Sequence, residues 1–116
     1  MKRTLLTLIA AISCQFALGQ TLSFFDKANM PTARAGSSRA LSDNVEYISN
    51  GFSPTTPFTT QIEKYDFVNN NWTTLTTSIP TIGKRYGNSE VVTGVLYLYN
   101  GITASGLNNQ LEIIQP

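Results

Sequence analysis

The feature that most constrains the fold is an internal repeat of about fifty residues. The stretch from Met30 to Leu75 contains, in order, the segments M-P-T-A-R-A-G, Y-I-S-N-G, Q-I-E and N-W-T-T-L. Most of these landmarks recur 49 to 51 residues later. A fixed period of this size is typical of proteins built from stacked supersecondary units, each of which needs neighbours to bury its faces. We therefore expect two copies of one structural unit.

The recurrences give an alignment of the two units. It matches Ile79-Pro80 to Met30-Pro31, Arg85-Tyr86-Gly87 to Arg34-Ala35-Gly36, Tyr97–Gly101 to Tyr47–Gly51, and Gln110–Glu112 to Gln61–Glu63. In this alignment Gly83-Lys84 is a two-residue insertion before Arg85. Glu63 and Glu112 occupy equivalent places, which reflects the period and does not indicate a pair of catalytic carboxylates.

Each unit is expected to be a series of short strands joined by hairpin turns. In the first unit the strands are predicted within 34–41, 45–49, 61–66 and 72–75, with turns at Asp43-Asn44, Asn50-Gly51 and Asn69–Asn71. A further strand is predicted within 20–28, and three strands in the second unit. No window after the N-terminal segment carries apolar residues at helical spacing, so the sequence predicts an all-β, antiparallel fold.

The N-terminal segment 1–19 has the pattern of a secretory signal peptide. Lys2 and Arg3 precede a short apolar run, and Ala17-Leu18-Gly19 supplies small residues at the cleavage spacing. The run is shorter than the roughly 20 residues of a membrane span. We expect a secreted or periplasmic, cell-envelope protein without a transmembrane span. Cys14, the one cysteine, is either an ordinary signal-peptide residue or the lipid-attachment site of a lipoprotein.

Charge and composition exclude several kinds of partner and reaction. Without Lys2 and Arg3 the chain has six basic and seven acidic residues, and the basic residues are not clustered. Such a chain cannot neutralise many phosphates, so a nucleic-acid partner is not expected. The chain has no histidine, the commonest metal ligand and the side chain best suited to proton transfer near neutral pH. We predict no metal, no cofactor and no catalytic residue.

The landmarks resemble kelch repeats. The matching residues are Arg34, Gly36, Tyr47, Gly51, Tyr65, Asp66 and Trp72 in the first unit, and Arg85, Gly87, Tyr97 and Gly101 in the second. The resemblance covers about residues 30–115. It departs from the family where a Gly-Gly pair is expected, because Asn50-Gly51 and Asn100-Gly101 stand there. Asparagine also visits the left-handed region, so the turn should be retained.

The resemblance implies a β-propeller in which each unit is a four-stranded antiparallel blade with its first strand innermost. Residues 30–78 would form one complete blade, residues 79–116 a truncated second one, and residues 20–29 a strand completing a neighbouring blade. Closed propellers have about four to eight blades. We therefore expect a fragment of a longer propeller; the alternative is a ring assembled from several copies of the chain. The tyrosines and Trp72 would pack between blades.

Loops between blades and loops between second and third strands would share one rim of such a propeller. The candidate ligand-binding residues on this rim are Arg34, Lys84, Arg85, Phe52 and Phe58. Alternatively, the arginines bond backbone carbonyls and the phenylalanines pack against the blade. The predicted function is a non-enzymatic scaffold for a protein or carbohydrate ligand. The alternative is part of a propeller enzyme that resembles sialic-acid mutarotases, so enzymatic activity stays open but is not favoured.

Overall fold

The computed structural model describes residues 25–77 and 81–116. These residues contain nine strands and no helix, which confirms the all-β prediction. The strands are β1 (Ser38–Ser42), β2 (Val45–Ser49), β3 (Ile62–Asp66), β4 (Asn71–Thr74), β5 (Asn88–Val92), β6 (Val95–Tyr99), β7 (Ile102–Thr103), β8 (Gly106–Leu107) and β9 (Glu112–Ile114). The predicted signal segment with Cys14 lies outside the described residues, as does the first part of the strand predicted within 20–28. Residues 25–30 contain no strand.

The first repeat unit forms one antiparallel sheet in which strand order follows the chain, β1-β2-β3-β4. The predicted two-residue turn is present, since Ser42 pairs with Val45 and Asp43 has a φ of 47°. The turn between β3 and β4 is built on Asp66, whose carboxylate accepts hydrogen bonds from the backbone N–H groups of Val68 and Asn69. All four predicted strands of this unit are found.

The second unit forms a three-stranded antiparallel sheet, β5-β6-β9. Its first hairpin turns at Thr93-Gly94, where both residues have positive φ, as a tight hairpin with right-handed twist favours. The three predicted strands are present. The segment between β6 and β9 also contains a small hairpin, β7-β8, that the sequence did not predict.

The core lies where the two sheets meet, with β1 beside β5. Strand side chains alternate between faces, so one face of each sheet supplies every second residue to the core. The first sheet contributes Ala40 and Tyr47, and the second contributes Leu96, Leu98 and Ile114. Tyr47 is therefore a packing residue, in agreement with its predicted structural role.

A left-handed turn at Asn50-Gly51 ties the two units together. Asn50 and Gly51 have φ values of 59° and 101°, and Asn100 and Gly101 repeat them at 59° and 96°. The Gly51 N–H donates to the Lys84 carbonyl at 2.8 Å. The Asn50 side-chain amide donates to the carbonyls of Thr59 and Ile82, both at 3.1 Å. Asparagine thus keeps the turn and adds hydrogen bonds that a second glycine would lack.

The predicted alignment of the two units is wrong by one residue around Arg85. Isolated bridges join Ala35 to Phe52 in the first unit and Arg85 to Ile102 in the second, both offset by the same 50 residues. Lys84 therefore takes the place of Arg34. Tyr86, with a φ of 56°, takes the place of Gly36, with a φ of 63°. The insertion relative to the first unit is one residue and not two, because Pro31 and Arg34 are three residues apart whereas Pro80 and Lys84 are four apart.

We expect Gly51→Ala to destabilise the chain by about 2 kcal/mol or more. A Cβ at this position would lie 2.5 Å from Ser37 Oγ and 2.6 Å from the Ala35 carbonyl oxygen, on a backbone with a φ of 101°. Gly94→Ala is the matched control, since Gly94 has a φ of 79° and open space around it; only backbone strain of about 1 kcal/mol is expected there. Urea unfolding of both variants measures the difference. Equal losses would contradict the steric argument.

Acid should destabilise the wild-type chain partly through Asp66. Hydrogen bonds from the backbone and side chain of Asn69 lower the pKa of Asp66, helped by the Val68 N–H and the charge of Lys64. Because the folded-state pKa lies below the unfolded one, the stabilisation is complete above the unfolded pKa of about 4 and is lost as pH falls through the folded pKa. Urea unfolding between pH 7 and pH 2.5 should therefore show a smaller acid loss for Asp66→Asn. An unchanged pH profile would contradict this role.

Candidate functional site

Four connecting segments meet at one end of the two sheets, and we call this surface the loop face: 33–36, 52–60, 82–86 and 102–108. Paired backbone hydrogen bonds join Ala35 to Phe52, at 2.9 and 2.8 Å, and Arg85 to Ile102, at 3.0 and 2.9 Å. A further bond from the Tyr86 N–H to the Gly36 carbonyl, at 2.7 Å, connects the two units. The sequence predicted that these segments gather on one face, and they do.

Arg34 is buried in this face and bonded by the chain itself. Its side chain is fully enclosed, with Nη2 2.7 Å from Oε2 of Glu63. Its terminal nitrogens also donate to the carbonyls of Gln61 and Ile48. Desolvation by burial lowers the pKa of Arg34, and the nearby charge of Glu63 opposes that shift. Arg34 is therefore the structural arginine that the sequence left as an alternative to a ligand contact.

Lys84 and Glu112 repeat this arrangement in the second unit. The Lys84 ammonium is fully enclosed and bonds to Oε2 of Glu112. The other carboxylate oxygen accepts the backbone N–H of Ile82 at 2.7 Å. The interpretation of Lys84 as a ligand-binding residue is thus corrected: its charge is neutralised inside the fold, because the one-residue shift places it in the position of Arg34.

Arg85 lies on the loop face among three aromatic rings, and we call this group the Arg85 cluster: Arg85, Phe52, Phe58 and Tyr86. The guanidinium carbon lies 5.4, 5.1 and 5.6 Å from the ring centroids of Phe52, Phe58 and Tyr86, respectively. Cation–π contacts of this kind contribute about 0.5–1 kcal/mol each at exposed sites. Phe52 and Tyr86 also pack edge to face, with centroids 5.9 Å apart. The guanidinium thus lies against rings from both repeat units.

The charge of Arg85 has no acidic partner among residues 25–77 and 81–116. Its Nε is buried and makes no hydrogen bond there. An unpaired buried donor is unfavourable, whereas the half-exposed remainder of the Arg85 side chain keeps its other donors for solvent or a ligand. The predicted pair Phe52 and Phe58 is neither a free platform nor a buried core: both are half-buried and contact the same cation.

An open pocket of about 350 Å³ lies next to the Arg85 cluster. Its lining residues are Ala33, Arg34, Ala35, Phe52, Ser53 and Pro54. Phe52 belongs to both the pocket and the cluster. Most of the lining is apolar, and the guanidinium of Arg34 is engaged with Glu63. The loop face therefore combines a cation with an adjoining apolar recess.

Sequence reasoning missed Tyr86 as a site residue and Glu63 and Glu112 as partners of the buried cations. Tyr86 was assigned to the position of Ala35 by the shifted alignment. The ion pairs could have been predicted from the spacing of the charges. Glu63 and Glu112 are 49 residues apart, and Arg34 and Lys84 are 50 residues apart. A charge that repeats together with an opposite charge indicates a structural pair within each unit.

Two further aromatic residues of the repeat motif, Tyr65 and Trp72, pack against each other. Tyr65 is 4 % exposed, and its ring centroid lies 4.9 Å from that of Trp72. The Trp72 indole N–H donates to the Ala28 carbonyl at 2.8 Å, and the Ala28 N–H donates to Oδ1 of Asn70. These contacts hold the segment before the first unit against β4. Tyr65 and Trp72 thus pack against each other within the first sheet, and their predicted packing between blades stays a prediction.

Within 25–77 and 81–116, no group of three or more His, Cys, Asp or Glu residues is placed to hold a metal ion. In the same part of the chain there is no helix of the length and apolarity needed to cross a membrane.

Arg34→Gln should destabilise the chain strongly, by about 3–5 kcal/mol, because it leaves the buried carboxylate of Glu63 without its partner. Lys27→Gln is the control, because Lys27 is exposed and belongs to none of the ion pairs within residues 25–77 and 81–116, so a loss of about 0.5 kcal/mol or less is expected. Urea or thermal unfolding distinguishes the two. Similar small losses for both variants would show that the Arg34–Glu63 pair is not a structural centre.

The chain was also compared with known proteins. No protein-family model matches it, and a search of curated proteins finds no match.

Proposed function

We propose that this chain is part of a kelch-type β-propeller that acts as a non-enzymatic binding scaffold. The proposal is supported by two successive antiparallel sheets with the same strand order, β1-β2-β3 and β5-β6-β9. Both sheets carry an Asn-Gly turn after the second strand and a buried cation paired with a glutamate of the third strand in the sheet. β1 lies beside β5, which agrees with first strands that are innermost in a propeller.

In this proposal the first sheet is a complete blade and the second an incomplete one. The two sheets of the described residues do not form a closed ring. The face of β5-β6-β9 that points away from the first sheet exposes Val92 and Ile113, by 46 % and 59 %. Exposed apolar side chains on a sheet face are more stable when another element buries them, and in a propeller that element is the neighbouring blade. That blade belongs either to a longer propeller or to another copy of the chain.

The observation that carries the binding role is the Arg85 cluster. Buried cations elsewhere in the fold are neutralised by glutamates, whereas Arg85 is held by rings at a surface made of loops. Loops positioned by a rigid scaffold are where binding residues concentrate. Aromatic and arginine side chains are also the residues enriched in binding hot spots. The ligand in this proposal is a protein or a carbohydrate.

The purified chain should bind ligands on peptide or glycan arrays through the Arg85 cluster. Phe58→Ala and Tyr86→Ala should each weaken that binding about tenfold or more, as expected for residues of a hot spot. Val68→Ala is the control, since Val68 is 71 % exposed in the turn between β3 and β4, outside the loop face, and should leave binding unchanged. Urea unfolding of each variant serves as the control for folding. A variant with an unchanged urea midpoint and weaker binding has lost the binding contact and not the fold.

Ligand binding that Phe58→Ala and Tyr86→Ala leave intact would contradict the Arg85 cluster as the binding site. A chain that binds nothing on either array but accelerates sugar anomerisation would contradict the scaffold and favour the alternative of a propeller enzyme resembling sialic-acid mutarotases.

A further inference from the structure

The described part of the chain contains three arginines, and they differ in how their charge is balanced. Arg34 pairs with Glu63, and Arg39 pairs with Glu46. Arg85 has aromatic neighbours but no carboxylate within these residues. The glutamates closest in the repeat pattern are already engaged by other cations, so the fold supplies no internal acid for Arg85.

We propose that Arg85 binds the carboxylate of an acidic peptide segment, and that the adjoining pocket receives an apolar side chain next to that acidic residue. This inference rests on the proposed function and specifies its ligand. The occupant is a peptide in which an acidic residue is followed by an apolar one.

The position of the guanidinium suits a carboxylate. Three ring centroids lie 5.1, 5.4 and 5.6 Å from the guanidinium carbon, and none of these rings supplies a negative charge. Arginine presents its donors in a rigid fork that matches a carboxylate with two parallel hydrogen bonds. The buried Nε makes no bond, and Arg85 as a whole is half-buried, so its terminal nitrogens are the donors that a ligand reaches.

The pocket favours a peptide over a sugar. Ala33, Ala35, Phe52 and Pro54 give it an apolar lining. The hydroxyl of Ser53 already accepts the Thr56 N–H at 3.1 Å within its own loop. Sugar hydroxyls require several well-placed polar partners, and leaving them unpaired on burial is unfavourable. An aliphatic or aromatic side chain has no such requirement and loses apolar surface to the pocket.

The test uses an array of N-acetylated pentapeptides in which a central Glu is followed by Leu, Val or Phe, each with a twin carrying Gln in place of the Glu. The purified full chain should bind the Glu peptides, and the Gln twins should bind about 10- to 100-fold more weakly, because a charge-assisted hydrogen bond is lost. Replacing the apolar residue by Ser should also weaken binding. Added salt should reduce the preference for Glu.

Arg85→Gln should remove the preference for Glu peptides, and Arg85→Lys should keep part of it, since lysine retains the charge without the fork. Arg39→Gln is the matched control, because that arginine is exposed and already paired. Urea unfolding of each variant confirms that the fold persists.

The outcomes separate this inference from the function on which it rests. Equal binding of Glu peptides and Gln twins, or a Glu preference that survives in Arg85→Gln, would overturn the carboxylate site while the scaffold stands. Binding of acidic glycans but of no peptide would overturn the choice of a peptide. A chain that binds no probe of either kind would overturn both the inference and the scaffold.

Discussion

The left-handed turn at Asn50-Gly51 is the contact on which the relation between the two sheets depends. It ends β2, donates backbone and side-chain hydrogen bonds to Lys84 and Ile82 in the second unit, and accepts the Thr59 N–H through the Gly51 carbonyl. Few residues adopt such a backbone without strain, and at Gly51 the neighbouring backbone leaves no room for a Cβ. Asn50 and Gly51 thus determine both the turn after β2 and the contact between the two repeat units.

The buried cations add a second constraint at this end of the sheets. Arg34 and Lys84 each join the segment before a first strand to the third strand of the same sheet, through Glu63 and Glu112. A buried charge that loses its partner is very unfavourable, so each pair permits one arrangement of these segments. Arginine reaches two carbonyls as well as the carboxylate, whereas lysine in the second unit relies on its glutamate. The pairs therefore specify position more than they add stability.

The candidate site follows from a small difference between the two units. The second unit has one extra residue before Lys84, and Lys84 occupies the position of the buried Arg34. Arg85 then occupies the position of Ala35. At that position the side chain faces Phe52 and Phe58 from the loop of the first unit. A cation of the second repeat thereby meets aromatic rings of the first. Such a site exists only where two non-identical units are in contact.

The sequence by itself determined the all-β class, the number of strands in the two sheets and the turns of the first unit, because alternation of side chains and residues that accept positive φ act locally. It also predicted that the loops with Arg34, Arg85, Phe52 and Phe58 share one face. Only the tertiary structure decided the register near Arg85, the β7-β8 hairpin and the partners of the buried cations. Sequence similarity favours an alignment of Arg85-Tyr86-Gly87 with Arg34-Ala35-Gly36. The backbone hydrogen bonds between Arg85 and Ile102 instead match those between Ala35 and Phe52, so Arg85 is equivalent to Ala35. The buried ion pairs join residues 29 and 28 positions apart, and Arg85 contacts Phe52 and Phe58 across 33 and 27 positions. Contacts between residues so far apart in the sequence are set by tertiary packing.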